Sequence, residues 1–166
     1  MAVTIVTTVG ASTANSYVSQ AQATTYFEGH LNADDWTNAS SDDKNRALVS
    51  AAARLQREKY EGSRTDEDQA LAWPRYSATD ADGWNYEDDE IPQVVKDAQC
   101  ELALFMLGDD RLTSESGFSQ FSSVSVGPVS ATIRSDVKDG KLPEYIRQIL
   151  QDVLLNNPGQ VTLERG

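Results

Sequence analysis

An apolar stripe over residues 91–106 constrains the fold of this chain more than any other feature. Its members recur at spacings of three and four: Ile91, Val94, Val95, Ala98, Leu102, Phe105 and Met106. At that period, side chains return to the same side of an α-helix. Pro92 suits a first helical turn, because its missing N–H group would have no partner there in any case. The width of the stripe predicts a central helix against which other helices pack.

Three more helices are predicted, two before this stripe and one after it. Ser19 and Gln22 stand at the spacing of a capping box, so a first helix begins there. A second helix begins at Ser41, where acidic residues favour the positive end of the helix dipole, and ends near Tyr60. The face of the first helix contains Ala23, Tyr26, Phe27 and Leu31. An uninterrupted repeat marks the last helix: Leu142, Tyr145, Ile146, Ile149, Leu150, Val153 and Leu154.

Between the last two helices the apolar period changes from helical to alternating. Residues 121–126 and 129–133 alternate about Gly127-Pro128, which predicts a β-hairpin. Residues 62–90 have no regular period and are expected to form a long irregular loop. Residues 1–13 are predicted to be an extended arm or short strand, 32–40 a connector held by Trp36, and 156–166 a tail. We therefore expect one domain over 1–166, mainly α: a small bundle of about four helices with a β-hairpin and a long loop.

The charge of the chain restricts its partners. It has 26 acidic and 14 basic residues and a net charge of −12. Such a chain should not bind nucleic acid or an anionic membrane through its overall charge. The longest purely apolar run has six residues, over 102–107, too few to span a membrane, and no secretory signal is visible. These features predict a soluble intracellular domain.

The sequence offers little catalytic chemistry. His30 and Cys100 are the only residues of their types, and no phosphate-binding glycine loop or nucleophile elbow occurs. We interpret His30 as a helix cap and Cys100 as a small buried residue, and we predict no enzyme activity, cofactor or catalytic residue. Acidic residues crowd into 80–90, but the spacing fails the calcium-loop pattern. A solvated acidic loop is favoured there over a looser divalent-ion site.

Basic and aromatic residues interleave along the second predicted helix and the segment that follows it. Arg54, Arg57, Trp73 and Arg75 have the composition of a surface on which single-stranded nucleic acid stacks. The alternative is that the arginines face acidic groups of the same or a neighbouring subunit, and the net charge favours this alternative.

Six segments, read in order, resemble one family. They are residues 14–19, 23–27, 31–36, 47–55, 69–75 and 91–98. Together they resemble the head–tail adaptor (connector, or head-completion) proteins of tailed bacteriophages, a group often labelled DnaT-like single-stranded DNA-binding. The string Leu71-Ala-Trp-Pro-Arg75 and the Ile91-Pro92 helix start are the most specific parts. The resemblance covers about 14–107, and extends more loosely through the hairpin and last helix.

The resemblance implies a mostly helical subunit of a ring, a dodecamer, in the neck of a virion assembled in the host cytoplasm. Its partners would be its own copies, the portal protein and tail or head-closure proteins, with double-stranded DNA passing through without tight binding and no membrane contact. A negative lining suits that role because it repels phosphate. The runner-up function is a single-stranded DNA-binding accessory protein using Arg54, Arg57, Trp73 and Arg75.

Aromatic residues in predicted loops are the candidates for contacts between subunits or with partners, since they are favoured at interface centres. For Trp73 an equal alternative is a loop anchor folded onto its own core, with Pro74 stiffening the turn. The hairpin is a further candidate, because its edges could pair with a neighbouring subunit. The candidate interface residues are Trp36, Trp73, Pro74, Arg75, Trp84, Tyr86, Phe121, Val124 and Val126.

Overall fold

A computed structural model of the protein describes residues 3–108, 123–126, 129–132 and 142–155. The helices of this part are α1 (Gln20–Glu28), α2 (Asp34–Asn38), α3 (Ser41–Leu55), α4 (Gln93–Gly108) and α5 (Glu144–Ile149). Its strands form two antiparallel pairs, β1 (Ser63–Arg64) with β2 (Arg75–Tyr76) and β3 (Ser123–Val126) with β4 (Val129–Thr132). The predicted fold class is confirmed: the described part is mainly helical, with a small hairpin between the last two helices.

Helix α4 occupies the centre and packs against α1, α2, α3 and α5. Its buried residues are Val95, Ala98, Gln99, Cys100, Leu102 and Ala103. From α3, Ala47, Leu48, Ala51 and Leu55 join the same core, and the small alanines let the two helix backbones approach closely. One residue of the predicted apolar stripe, Phe105, is 39% exposed. The buried face of α4 instead includes Cys100 and Ala103, which the stripe did not contain.

The helix starts follow local rules closely. At α1 both capping-box bonds are present, from the Gln22 N–H to the Ser19 hydroxyl at 3.2 Å and from the Ser19 N–H to the Gln22 side chain at 2.8 Å. The cap of α3 is Ser40, one residue before the predicted Ser41. Its hydroxyl accepts a hydrogen bond from the Asp43 N–H at 3.1 Å.

Two predicted helix ends are wrong for one shared reason. Helix α3 ends at Leu55 rather than near Tyr60, and α5 ends at Ile149 rather than at Leu154. Tyr60 and Leu154 instead form an antiparallel bridge, and the Leu155 N–H donates to the Lys59 carbonyl at 2.8 Å. The pairing of these two segments takes up backbone groups that a continued helix would use. The apolar spacing still serves the core, since Leu142, Ile146, Leu150 and Val153 are all buried.

The segments predicted as irregular are more ordered than expected. The connector over 32–40 contains α2, and β1–β2 lies inside the long loop. The arm contains no strand among its described residues 3–13, but Asn15 holds it, accepting from the Val6 N–H at 2.8 Å and donating to the Thr4 carbonyl at 2.9 Å. Phe121 and the predicted tail over 156–166 lie outside the described residues. None of the described helices is long and apolar enough to cross a membrane.

Candidate interaction surfaces

Trp36, a predicted interface residue, lies inside the chain. It is on α2 and only 2% exposed, and its indole N–H donates to the Thr24 hydroxyl at 3.2 Å. Its ring centroid is 5.0 Å from that of Phe27. Packing of α2 against α1 therefore uses the indole of Trp36 inside the chain, and little of its surface is exposed for contact with another subunit.

The loop after α3 is folded around a buried glutamine. The Gln69 side-chain oxygen accepts from the N–H groups of Thr65 and Asp66, at 3.1 and 3.0 Å. Its side-chain nitrogen donates to the carbonyls of Leu71 and Pro74, at 2.7 and 3.1 Å. One side chain therefore satisfies the backbone of an otherwise irregular segment, which a buried loop requires.

Trp73 is the anchor of this loop. It is 1% exposed, and its ring meets Tyr60 and Tyr86 edge-on, at centroid distances of 5.8 and 6.0 Å. Pro74, joined to it by a cis peptide bond, is buried as well. Of the two interpretations of Trp73 from sequence, the structure agrees with the loop anchor, and neither Trp73 nor Pro74 is exposed for base stacking or contact with another subunit. Tyr86 is half-buried because its ring packs on Trp73.

Arg75 joins the loop to the end of α3. Its Nε donates to the Glu61 carbonyl at 2.6 Å, and its two Nη atoms donate to the carbonyls of Gly62 at 2.7 Å and Ala72 at 3.1 Å, with a longer bond to that of Tyr60 at 3.4 Å. Partial burial, with Arg64 nearby, lowers the pKa of this guanidinium. Because all three nitrogens donate to backbone carbonyls, Arg75 has a structural role in this loop, and its predicted interface and DNA-binding roles stay predictions.

Of the residues predicted to bind single-stranded DNA, only Arg57 remains free for it. Arg54 donates to Glu58 at 2.9 Å, in a pair shielded from water. Arg57 and Lys59 are exposed and take part in no ion pair within the described residues. Arg64 is exposed too, with one bond of 3.4 Å to the Gln69 carbonyl. We call Arg57, Lys59 and Arg64 the basic segment.

Trp84 is the predicted interface aromatic that the structure does expose, at 75%. The turn that carries it is ordered: the Asp80 carboxylate accepts from the N–H groups of Asp82 and Trp84, at 3.0 and 2.9 Å. The Asp80 N–H donates back to the Trp84 carbonyl at 2.9 Å. The indole is thus presented to solvent on a hydrogen-bonded turn. We call this turn, over 79–85, the Trp84 turn.

Acidic residues lie within the Trp84 turn and directly after it in the sequence. Asp82 lies in the turn and is exposed, and Glu87, Asp88, Asp89 and Glu90 follow it, also exposed. The part of the chain that the structure describes contains no group of three side chains placed to hold a metal ion. An exposed indole among carboxylates favours a protein surface and disfavours a polyanion.

Other exposed apolar residues depart from the predicted helix faces. Leu31, assigned to the face of the first helix, is 99% exposed because α1 ends at Glu28. Phe105 and Tyr145 lie together on α4 and α5, with ring centroids 6.5 Å apart. The predicted interface residues Val124 and Val126 lie in β3. Leu31 is exposed because α1 ends before it. The apolar repeat continues to Leu31, so the repeat alone does not show where the helix ends.

The two unique residues, His30 and Cys100, have structural positions. His30 is not a cap of α1: it follows Gly29, and its Nδ1 lies 3.2 Å from the Glu101 carboxylate. Tyr26 donates its hydroxyl to that carboxylate at 2.9 Å. Cys100 is buried as predicted, and burial, with Asp97 and Glu101 nearby, raises the pKa of its thiol to about 12. A thiol that stays protonated is a poor nucleophile.

Comparison with known proteins relates the chain to a protein family. No curated protein and no solved structure shows significant similarity to the chain. A family model described as "Putative DnaT-like ssDNA binding protein" matches residues 1–166, the full length of the sequence. The chain therefore belongs to this DnaT-like family.

Proposed function

We propose that the protein is a structural subunit of a head–tail adaptor ring of a tailed phage, joined to other proteins through its surface and without enzymatic activity. The segments quoted above that resemble adaptor proteins support this assignment. The observation that carries the proposal is the Trp84 turn, which presents an exposed indole among acidic residues. Large aromatic side chains contribute strongly to protein interfaces, whereas surrounding carboxylates repel nucleic acid.

The use of the basic and aromatic residues also supports an assembly role. A single-strand site needs exposed aromatic rings and free cations. Trp73 is buried, Arg75 donates to backbone carbonyls, and Arg54 is paired with Glu58. With a net charge of −12, the molecule suits a place beside DNA that must slide past it.

Fluorescence offers a direct test of a protein contact at Trp84. Trp36 and Trp73 are buried, so an aqueous quencher should reach Trp84 almost exclusively. Mixing the protein with the portal protein of the same phage should protect this fluorescence, and Trp84→Phe should abolish the change and weaken binding. Leu31→Ser is the matched control, since it also removes an exposed apolar side chain. Unchanged quenching and equal affinity of both variants would count against the proposed contact.

Particles provide the test of the adaptor function itself. Virions labelled for this protein should show it at the neck by electron microscopy. Particles assembled without it should lose packaged DNA or fail to attach tails. Normal tailed particles in its absence would contradict the proposal.

Single-stranded DNA binding is the second candidate function, and two observations favour it. The description of the family names single-stranded DNA binding, so it supports this function more directly than it supports an adaptor role. The basic segment also places Arg57, Lys59 and Arg64 on the surface near the end of α3. A site of this kind would bind phosphates mainly through charge, with affinity that falls steeply as salt rises.

Fluorescence anisotropy with a labelled single-stranded oligonucleotide at low salt tests this second function. If the basic segment binds DNA, Arg57→Glu should weaken binding and reduce the salt dependence. Arg46→Glu is a matched control, because Arg46 is exposed on α3 and its charge is already paired with Asp43 at 3.0 Å. Equal loss in both variants would indicate a non-specific effect of net charge, and absence of binding by the unmodified protein would exclude this function.

A further inference from the structure

An open cleft lies between the N-terminal arm and the start of α4. Its volume is about 400 Å³, which is within the range of pockets that bind ligands. Val9 of the arm, which is 45% exposed, and the buried Ile91 give the cleft an apolar lining. Carboxylates from the segment before α4 line it as well: Glu87, Asp89 and Glu90. The cleft therefore combines apolar surface with negative charge.

The charged groups of this cleft are unpaired. Glu87, Asp89 and Glu90 are exposed, and none of them takes part in an ion pair among the residues that the structure describes. Lys96 of α4 is half-buried in the same cleft and is also without an ion pair there. Because the carboxylates outnumber this ammonium group, the cleft carries a net negative charge. A long basic side chain suits it, since the aliphatic stem can lie on the apolar lining while the charged end meets the carboxylates.

The same chain carries unpaired cations on another part of its surface. These are Arg57 and Lys59 of the basic segment, which follow α3 and are exposed. Neither forms an ion pair with a carboxylate of the described residues, so neither reaches the cleft of its own molecule. Each copy therefore carries an unpaired negative cleft and an unpaired basic segment at separate places.

The charge of the chain makes this separation important for assembly. Two copies with a net charge of −12 repel each other. A basic segment of one copy placed in the cleft of the next replaces that repulsion locally with attraction between unlike charges. Because the two surfaces differ, the interface is heterologous and leaves one free cleft and one free basic segment at the ends. Subunits can therefore be added until a ring closes.

We propose that the cleft between the N-terminal arm and α4 binds the basic segment of a second copy of this chain. This inference rests on the proposed assembly function and names the contact between neighbouring subunits. A second copy is favoured over an unrelated basic partner because every copy supplies both the negative cleft and the exposed cations. The Trp84 turn is outside this contact and stays available for the portal protein.

Two variants of the full-length protein each remove one half of the contact. The segment variant carries Arg57→Glu and Lys59→Glu. The cleft variant carries Glu87→Gln, Asp89→Asn and Glu90→Gln. In sedimentation velocity at low salt, the unmodified protein should form oligomers that dissociate as the salt concentration rises. For each variant alone we expect Kd for association to rise about 10-fold or more, because the attraction between unlike charges is lost.

An equimolar mixture of the two variants gives the sharpest result. The segment variant keeps its cleft and the cleft variant keeps its basic segment, so one native contact can form between them. Their other two surfaces are altered, so we expect a dimer that grows no further. Formation of this dimer also shows that both variants are folded. A mixture that stays monomeric, or one that forms the large oligomers of the unmodified protein, would overturn the proposal.

Matched variants separate this contact from a general effect of net charge. Lys44→Glu with Arg46→Glu changes the charge as much as the segment variant does, at cations that already have partners: Arg46 pairs with Asp43, and Lys44 lies over the Trp36 ring. The cleft variant is matched by removing three exposed carboxylates elsewhere: Glu28→Gln, Asp34→Asn and Glu67→Gln. Both controls should associate as the unmodified protein does. Equal loss in a control and in the variant that it matches would contradict the proposed contact.

The proposed contact and the proposed function fail in different experiments. An unmodified protein that is monomeric at every salt concentration but is found at the virion neck would contradict the contact alone. A protein that forms the dimer of the two variants but is absent from the neck would contradict the adaptor function alone.

Discussion

The side chain of Gln99 on α4 accepts a hydrogen bond from the backbone N–H of Tyr17 at 2.9 Å, across 82 positions of the sequence. Its side-chain nitrogen donates to the Ser16 hydroxyl at 2.7 Å and to the Leu48 carbonyl of α3 at 2.8 Å. Gln99 is completely buried. A single polar side chain in the core therefore joins the segment before α1, helix α3 and helix α4.

Gln99→Leu should destabilise the fold, because it leaves the Tyr17 N–H and the Leu48 carbonyl buried without these partners. We expect a loss of about 2–4 kcal/mol in the free energy of unfolding, measured by urea denaturation. Gln93→Leu is the control on the same helix, since Gln93 is exposed and its side chain donates to the exposed side of the helix at Asp97. Equal stability of the two variants would contradict a central role for Gln99.

Gly62 and Gly83 both have positive φ, at +70° and +84°, but their surroundings differ. A Cβ at Gly62 would collide with the backbone at Tyr76 and Ala78, whereas a Cβ at Gly83 would meet nothing within 4 Å. Gly83→Ala should therefore cost only the backbone term, about 1–2 kcal/mol. Gly62→Ala should cost about 1–3 kcal/mol more, because strand β2 must shift. Thermal denaturation of both variants measures the difference, and equal midpoints would contradict the predicted close approach.

Arg75→Lys separates a structural role from a DNA-binding one. Lysine keeps the charge but lacks the planar group that donates to Glu61 and Gly62 in different directions. We expect a loss of about 1–3 kcal/mol in stability, without a selective loss of affinity for single-stranded DNA. Arg57→Lys is the control, since Arg57 is exposed and this change should leave stability unaltered. If the Arg75→Lys variant keeps its stability but binds single-stranded DNA less tightly, Arg75 contacts DNA as predicted and the structural role is contradicted.

The sequence predicts those features that depend on neighbouring residues. The capping box of Ser19 and Gln22, the central position of α4 and the alternation of β3 and β4 are all encoded within a few positions. The bridge between Tyr60 and Leu154 joins residues far apart in the chain, so the early ends of α3 and α5 could not be read from local periodicity.

The candidate site was harder to predict for the same reason. Trp73 and Trp84 lie in one predicted loop, and nothing in its composition distinguishes the buried indole from the exposed one. Their difference follows from the path of the backbone around Gln69 and from the turn organised by Asp80. Arg75 illustrates the same limit, because its acceptors are carbonyl groups, which every residue possesses.

Alkaline pH should unfold the protein through its buried tyrosines. Burial raises the pKa of Tyr17 from 10.0 to about 12, although the Gln56 side chain, which donates to its hydroxyl at 3.0 Å, acts in the opposite direction. Because the folded state holds this proton more tightly than the unfolded state, the contribution to stability is present below pH 10 and is lost as the pH rises through about 12. Tyr17→Phe should remove about 2–3 kcal/mol of the decline between those values, measured by urea denaturation at a series of pH values. Tyr76→Phe is the control, because Tyr76 is 45% exposed. Identical pH profiles for the Tyr17 variant and the unmodified protein would contradict the assignment.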